Sequence, residues 1–135
     1  MKKEKWLVCG SRIKNNSKYK ELVFRKLNRI YNIHQELIDK GLWKLDCIIQ
    51  GKCPDSADIY ARQWALKKGI AVKDFLGSKG NYLTRNAEMV LFADEVFAFW
   101  NGYSYGTAQT IGQAIMQGKT VTVIDLFKEL KKNDN

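Results

Sequence analysis

The sequence offers little material for metal sites or disulfide bridges. Its 135 residues include three cysteines and one histidine. Cys9, Cys47 and Cys53 are odd in number, and only His34 could join them around a metal ion. We therefore expect free thiols rather than a disulfide framework or a zinc site, and we predict no metal and no cofactor.

Long hydrophobic runs are also missing. No stretch approaches the roughly 20 apolar residues that a membrane-spanning helix requires. The chain shows no internal repeat or low-complexity segment, and Pro54 is its only proline. With 45% hydrophobic residues, the chain can build one buried core. We expect a single cytoplasmic domain without a membrane partner.

Positive charge exceeds negative charge. There are 23 lysines and arginines against 14 aspartates and glutamates, a formal net charge of +9. Such an excess favours an anionic partner, nucleic acid included. Much of the charge lies in the N-terminal segment and near the C-terminus, where solvated helix faces and a tail could equally carry it. Charge alone leaves both interpretations open.

Short apolar segments alternate with amphipathic ones along the chain. Strand character covers 5–10, 45–51, 70–75, 94–100 and 119–126, and helical spacing of apolar residues covers 17–40, 56–69, 84–93 and 106–118. This alternation is typical of a parallel sheet covered on both faces. We predict a single doubly wound, Rossmann-like α/β domain with about five parallel strands, over residues 1–127, and a flexible basic tail over 128–135.

The loops that follow the strands contain residue types that bind phosphate. In a doubly wound sheet the ligand crevice lies outside the carboxyl ends of the strands. Glycine admits an anion to the free amides of a helix N-terminus, hydroxyls donate to its oxygens, and arginine grips it with two hydrogen bonds. The candidates of this kind are Gly10, Ser11, Arg12, Arg85, Ser104, Gly106 and Thr107.

These residues also have structural explanations. Ser104 could cap the following helix while the glycines form the turn. Arg12 and Arg85 could pair with a carboxylate such as Glu88 or Asp94 instead of a ligand. The residues alone leave these alternatives open.

Two further candidates suit the sugar and base of a nucleotide. Asp58 could accept hydrogen bonds from ribose hydroxyls, or it could complement the dipole of the helix whose first turn it occupies. Trp100, near Tyr103 and Tyr105, could stack on a base or pack inside the protein.

The order and spacing of these motifs resemble the YspA-like branch of the SLOG superfamily. That superfamily of Rossmann-like domains includes the DNA-processing protein DprA and the LOG phosphoribohydrolases. The matching elements are the strand-Gly-Ser-Arg opening, GKCPDSADIYARQWALKKGI, TRNAEMVLFADEVFAFWNG and SYGTAQTIGQA, within residues 5–124. The resemblance implies a nucleotide-type pocket that also involves Gly51, Lys52, Cys53 and Asn86. It further implies a homodimer or higher oligomer, for which an exposed Trp43 would be suited.

The chain departs from the superfamily pattern at three positions. Lys52 and Ser56 replace glycines, although Lys52 could contact a phosphate itself. LOG enzymes cleave the N-glycosidic bond of nucleoside monophosphates with a glutamate at the position that Thr110 occupies here. We therefore expect binding of a nucleotide or nucleotide derivative. The alternatives are N-glycosidase activity through Asp58 or Glu88, and DprA-like nucleic-acid binding.

Overall fold

The computed structural model describes residues 1–78 and 80–132. The strands are β1 (Lys2–Gly10), β2 (Trp43–Gln50), β3 (Ala71–Asp74), β4 (Glu95–Trp100) and β5 (Thr120–Asp125). The helices are α1 (Ser17–Asn32), α2 (Gln35–Asp39), α3 (Ala57–Lys68), α4 (Tyr82–Phe92), α5 (Tyr105–Met116) and α6 (Leu126–Lys131). The strands form one parallel sheet in the order β3-β2-β1-β4-β5, which confirms the predicted Rossmann-like α/β fold. Across the described part of the chain, no helix is long and apolar enough to span a bilayer.

The central strand β1 is buried on both faces. Trp6 and Val8 belong to the larger core cluster, which includes residues of α1, α3 and α6. Leu7 lies on the opposite face, in a smaller cluster with Met89 of α4 and Ala114 of α5. Side chains alternate across a strand, so a strand between two helical layers needs apolar residues at every position. This explains the apolar run over residues 6–9 of β1, whereas residues 2–5 of the strand are charged and less buried.

The single helix predicted over 17–40 is wrong, because the chain turns between α1 and α2. At the turn the His34 imidazole stacks on Trp43 with a ring-centroid distance of 3.9 Å. Ile30 and Ile38, on either side of the turn, pack against the same core cluster. The apolar spacing therefore continues through the turn and conceals it.

Trp43 is a core residue and does not form an exposed association surface. Its side chain is 3% exposed, and its ring packs against Trp6 as well as His34. The indole N–H donates a hydrogen bond to Glu4. The expectation of an exposed Trp43 is therefore wrong.

Helix α6 occupies much of the segment that we expected to be a tail. Leu126 is fully buried, and Leu130 packs against the larger core cluster. The Asp125 side chain caps the helix by accepting a hydrogen bond from the Lys128 amide at 3.1 Å. Residues 128–131 are thus helical, while 133–135 lie outside the described residues.

The buried Tyr19 hydroxyl joins three elements beneath the carboxyl end of β1. It donates a hydrogen bond to the Ser11 carbonyl at 2.7 Å and accepts one from the Ala57 amide at 3.1 Å. A Cβ atom on Gly10 would lie 2.6 Å from this hydroxyl oxygen. Glycine at position 10 therefore allows α1 and α3 to meet the end of β1.

Replacing Tyr19 by phenylalanine should lower the free energy of unfolding by about 1–3 kcal/mol, because two buried backbone groups lose their partner. Tyr60→Phe is the matched control, since the Tyr60 ring packs edge-on against Tyr19 at 5.2 Å and its hydroxyl bonds to no described residue. Urea denaturation measures both variants. Equal stability of the two would contradict the role given to the Tyr19 hydroxyl.

Candidate functional site

The sheet changes winding direction between β1 and β4. The chain continues from β1 to β2 and β3 on one side, whereas β4 and β5 lie on the other side. The loops that leave β1 and β4 therefore diverge, and such a switch point opens a crevice at the carboxyl ends of the strands. A cavity of about 410 Å³, called here the first cavity, lies at this position.

The first cavity brings together ten of the thirteen candidate ligand-binding residues. They come from the end of β1 and the loop after it, the loop after β2, the start of α3, the middle of α4 and the start of α5. These residues are Gly10, Ser11, Arg12, Cys53, Asp58, Arg85, Asn86, Ser104, Gly106 and Thr107.

A second cavity, of about 750 Å³, adjoins the first. The two share Arg12, Cys53, Arg85, Asn86 and Gly106. The candidates Gly51 and Lys52 line the second cavity only. The crevice thus has two compartments with a common wall.

Trp100 lines neither compartment. Its indole N–H donates a hydrogen bond to the Ser104 carbonyl at 3.0 Å. The residue therefore supports the turn into α5, and its placement does not suit stacking on a ligand in the crevice.

Sequence reasoning missed Cys9 and Asn101, which also line the first cavity. The Asn101 side-chain oxygen accepts hydrogen bonds from the amides of Tyr103 and Ser104, at 3.0 and 2.8 Å. An asparagine that bonds amides two and three residues later is a common turn device. Its position directly after a strand was the available signal.

Hydroxyl groups join the loops on the two sides of the crevice. The hydroxyl oxygens of Ser11 and Ser104 lie 2.6 Å apart, and the Ser11 hydroxyl accepts a hydrogen bond from the Asn101 amide at 3.0 Å. Ser104 occupies the N-cap position of α5, but its side chain makes no capping hydrogen bond. The first-turn amides of α5 therefore lack a side-chain cap where Gly106 and Thr107 border the first cavity.

Arg12 lines both compartments and is exposed to solvent. Its side chain makes no ion pair or hydrogen bond with any residue in the described ranges. Among these residues, Arg12 pairs with neither Glu88 nor Asp94. The Asp94 carboxylate instead accepts a hydrogen bond from the Lys5 amide at 2.8 Å. The Arg12 guanidinium is therefore available to an anion.

Arg85, in contrast, is held by neighbouring groups. Its guanidinium donates two hydrogen bonds to the Asn86 side-chain oxygen, at 2.9 and 3.3 Å, and one to the Gly51 carbonyl at 3.4 Å. It also lies 5.1 Å from the centroid of the Tyr82 ring. Arg85 thus carries positive charge on the common wall in a fixed position.

Asp58 is a buried carboxylate that holds the loop after β2. Its oxygens accept hydrogen bonds from the Gly51 amide at 3.0 Å and from the Ser56 hydroxyl at 3.1 Å. Burial raises the pKa of the Asp58 carboxyl, and these hydrogen bonds and the charge of Arg85 oppose the rise. The carboxyl borders the first cavity although the residue is only 4% exposed.

Glu88, the other candidate catalytic carboxylate, lies outside both compartments. It is exposed and borders a smaller hollow, which shares Leu76, Gly77 and Arg85 with the second cavity. Helix α4 turns Asn86 and Met89 inward, whereas Glu88 faces solvent. Glu88 is therefore not placed to act on a ligand in the crevice.

Lys52 occupies a backbone conformation that favours glycine. Its φ is 54°, in the left-handed region, and its amide donates to the Gln50 side-chain oxygen at 2.6 Å. Glycine, which has no Cβ atom, adopts such a φ without steric cost.

No protein-family model and no curated protein matches this sequence. Among solved structures, the fold is similar to that of the molybdenum cofactor binding protein from the phototrophic bacterium Rippkaea orientalis. The TM-score is 0.65 and the sequence identity 20%, over 98% of this chain and 85% of that chain. The likeness extends over nearly the whole domain and establishes the fold.

Lys52→Gly should raise the free energy of unfolding by up to about 1 kcal/mol, because glycine adopts a positive φ without steric cost. Lys52→Ala removes the same charge but keeps the strained backbone, so it should leave stability close to that of the wild type. Chemical denaturation compares the three proteins. A gain with alanine equal to that with glycine would show that the charge, and not the backbone, destabilises this site.

The pH dependence of stability should report the buried Asp58. Because its pKa is raised in the folded protein, its stabilising contribution is fully present below the unfolded pKa of about 4 and is lost as the pH rises through the folded pKa. Asp58→Asn abolishes this titration. The stability of the variant relative to the wild type should therefore rise as the pH increases above about 4.

The measurement is chemical denaturation of both proteins across this range. Asp39→Asn, at an exposed position of α2, serves as the control. A stability difference between Asp58→Asn and wild type that stays constant with pH would contradict the prediction.

Proposed function

We propose that this protein binds a small phosphorylated, nucleotide-like molecule in the crevice between β1 and β4. The observation that carries the proposal is that the Arg12 guanidinium and the N-terminus of α5 border the same cavity, the one without a partner and the other without a side-chain cap in the described part of the chain. A helix N-terminus and an arginine are complementary to phosphate in charge and in hydrogen-bond donors. The description of the structural neighbour as a cofactor-binding protein supports a ligand-binding role for this fold.

Gly106 adds a steric argument. A Cβ atom at this position would meet nothing within 4 Å, and the residue has no positive φ. Neither packing nor backbone conformation among the described residues requires glycine there, and glycine in a helix costs about 0.5–1 kcal/mol relative to alanine. Bare backbone beside the first-turn amides suits the close approach of a ligand anion.

Binding is favoured over hydrolysis by the placement of the polar groups. Both carboxylate oxygens of Asp58 accept hydrogen bonds from the loop that it holds. Thr110 takes the place of the LOG glutamate, and its hydroxyl donates to the Gly106 carbonyl at 3.2 Å. These side chains build the cavity wall, and the exposed Glu88 lies outside it.

A thermal-shift panel tests the proposal with nucleoside mono-, di- and triphosphates, NAD, ADP-ribose and cyclic dinucleotides. Molybdenum cofactor, named for the structural neighbour, forms a separate arm. A ligand at 100 times its dissociation constant should add about 2.7 kcal/mol to the free energy of unfolding. Absence of a shift with every compound would contradict the proposal.

For a ligand that shifts the transition, Arg12→Ala should weaken binding about 10- to 100-fold, the loss expected when a charged hydrogen-bond donor is removed. Arg25→Ala removes the same charge from the exposed face of α1, away from both compartments, and should leave affinity unchanged. Calorimetry measures both. An equal loss of affinity in the two variants would indicate that binding depends on net charge and not on the position of Arg12.

Two other outcomes would favour the alternative functions. Release of free base from nucleoside monophosphates, detected by chromatography, would indicate N-glycosidase activity. Binding of single-stranded DNA that weakens steeply with salt and is unaffected by Arg12→Ala would indicate a nucleic-acid-binding module.

A further inference from the structure

The second cavity is bordered by large apolar side chains that a phosphate group does not need. Leu76, Tyr82, Leu83 and Tyr105 line it, with exposed fractions of 72, 51, 54 and 76%. Of these four, none borders the first cavity. The compartment with the unpaired arginine and the helix N-terminus therefore opens into one with an apolar and aromatic lining.

The two tyrosines come from different helices. The Tyr82 ring is held in place, because it packs so closely on Gly77 that a Cβ there would lie 2.4 Å from the ring. The Arg85 guanidinium lies 5.1 Å from the same ring. Tyr105 begins α5 and is mostly exposed, so it is free to adjust to a bound ring.

An unpaired amide lies beside this aromatic surface. Gln109, one turn after Tyr105 on α5, lines the second cavity and bonds to no residue in the described ranges. Its side chain offers two N–H donors and one carbonyl acceptor in a plane. Such an amide matches the adjacent donor and acceptor on the edge of a heterocyclic base, as in the pairing of glutamine with adenine.

We infer that the second cavity is the subsite for a planar heterocyclic base, so that the ligand is a phosphate ester spanning both compartments. The phosphate lies at Arg12 and the start of α5, and the base lies against Tyr82 and Tyr105 with its edge at Gln109. The inference rests on the proposed function and names the ligand class for the same site. A volume of about 750 Å³ is within the range of small-molecule sites and exceeds what a phosphate fills.

Calorimetry with ribose 5-phosphate, AMP, GMP, CMP and UMP tests the inference. At least one nucleotide should bind about 10- to 100-fold more tightly than ribose 5-phosphate, because a stacked base adds affinity that the sugar phosphate lacks. If ribose 5-phosphate binds too weakly to be detected, the detection limit gives the minimum ratio between the two affinities.

Substitutions then identify the side chains that give nucleotides their higher affinity. Tyr105→Ala and Gln109→Ala should each reduce nucleotide affinity about tenfold and leave ribose 5-phosphate binding unchanged, whereas Tyr105→Phe should retain the gain because it keeps the ring. Arg12→Ala should weaken all of these ligands. Phe127→Ala is the matched control: this aromatic residue is 63% exposed and lines neither compartment.

The outcomes separate this inference from the proposed function. Ribose 5-phosphate and the nucleotides binding equally tightly, or a gain that survives both alanine substitutions, would overturn the base subsite and leave phosphate binding intact. Failure of all five compounds to bind to the folded protein would overturn the base subsite, whereas the proposed function is overturned only if the whole thermal-shift panel fails as well.

Discussion

The crevice depends on how closely three elements approach the last residue of β1. A Cβ atom on Gly10 would lie within 2.9 Å of the Tyr19 hydroxyl, the Ala57 side chain and the Phe99 carbonyl. Any larger residue would displace α1, α3 or β4. The amide of the next residue, Ser11, donates a hydrogen bond to the Phe99 carbonyl at 2.8 Å, which fixes where the chain leaves β1. The positions of the two diverging loops follow from this contact, and so does the crevice between them.

Polar groups around the crevice fall into two classes. Asp58 and Asn86 are buried and bonded to protein groups, so they form a rigid frame. Arg12, Gln109 and the first amides of α5 lack such partners among the described residues. Buried polar groups are normally hydrogen-bonded within the protein, whereas a binding site presents unpaired donors and acceptors to its ligand from a rigid support. The unpaired groups border the two compartments, which is the physical basis for treating them as one ligand site.

The sequence predicts the parts of this arrangement that depend on local pattern. Apolar runs and helical spacing indicate the parallel sheet, and loop composition locates Arg12 and Asp58 at its carboxyl edge. The His34 ring stacks on Trp43, on the other side of the short helix α2, and the apolar spacing does not reveal this contact. The sequence also does not predict the apolar part of the second cavity. That part comes from the loop after β3 and from α4 and α5, whose side chains meet each other and the loop after β2 only in the folded chain.

The glycine-containing turns at Gly51 and Gly106 have different roles. At Gly51 a Cβ atom would lie 2.5 Å from the Arg85 guanidinium, so the missing side chain makes room for that arginine. The Gly51 amide is occupied as well, because it donates to Asp58. At Gly106 the corresponding space is empty and the neighbouring amides are uncapped. In the proposed binding mode, backbone recognition of an anion therefore belongs to the start of α5, while the turn after β2 contributes through the charge of Arg85, which it anchors.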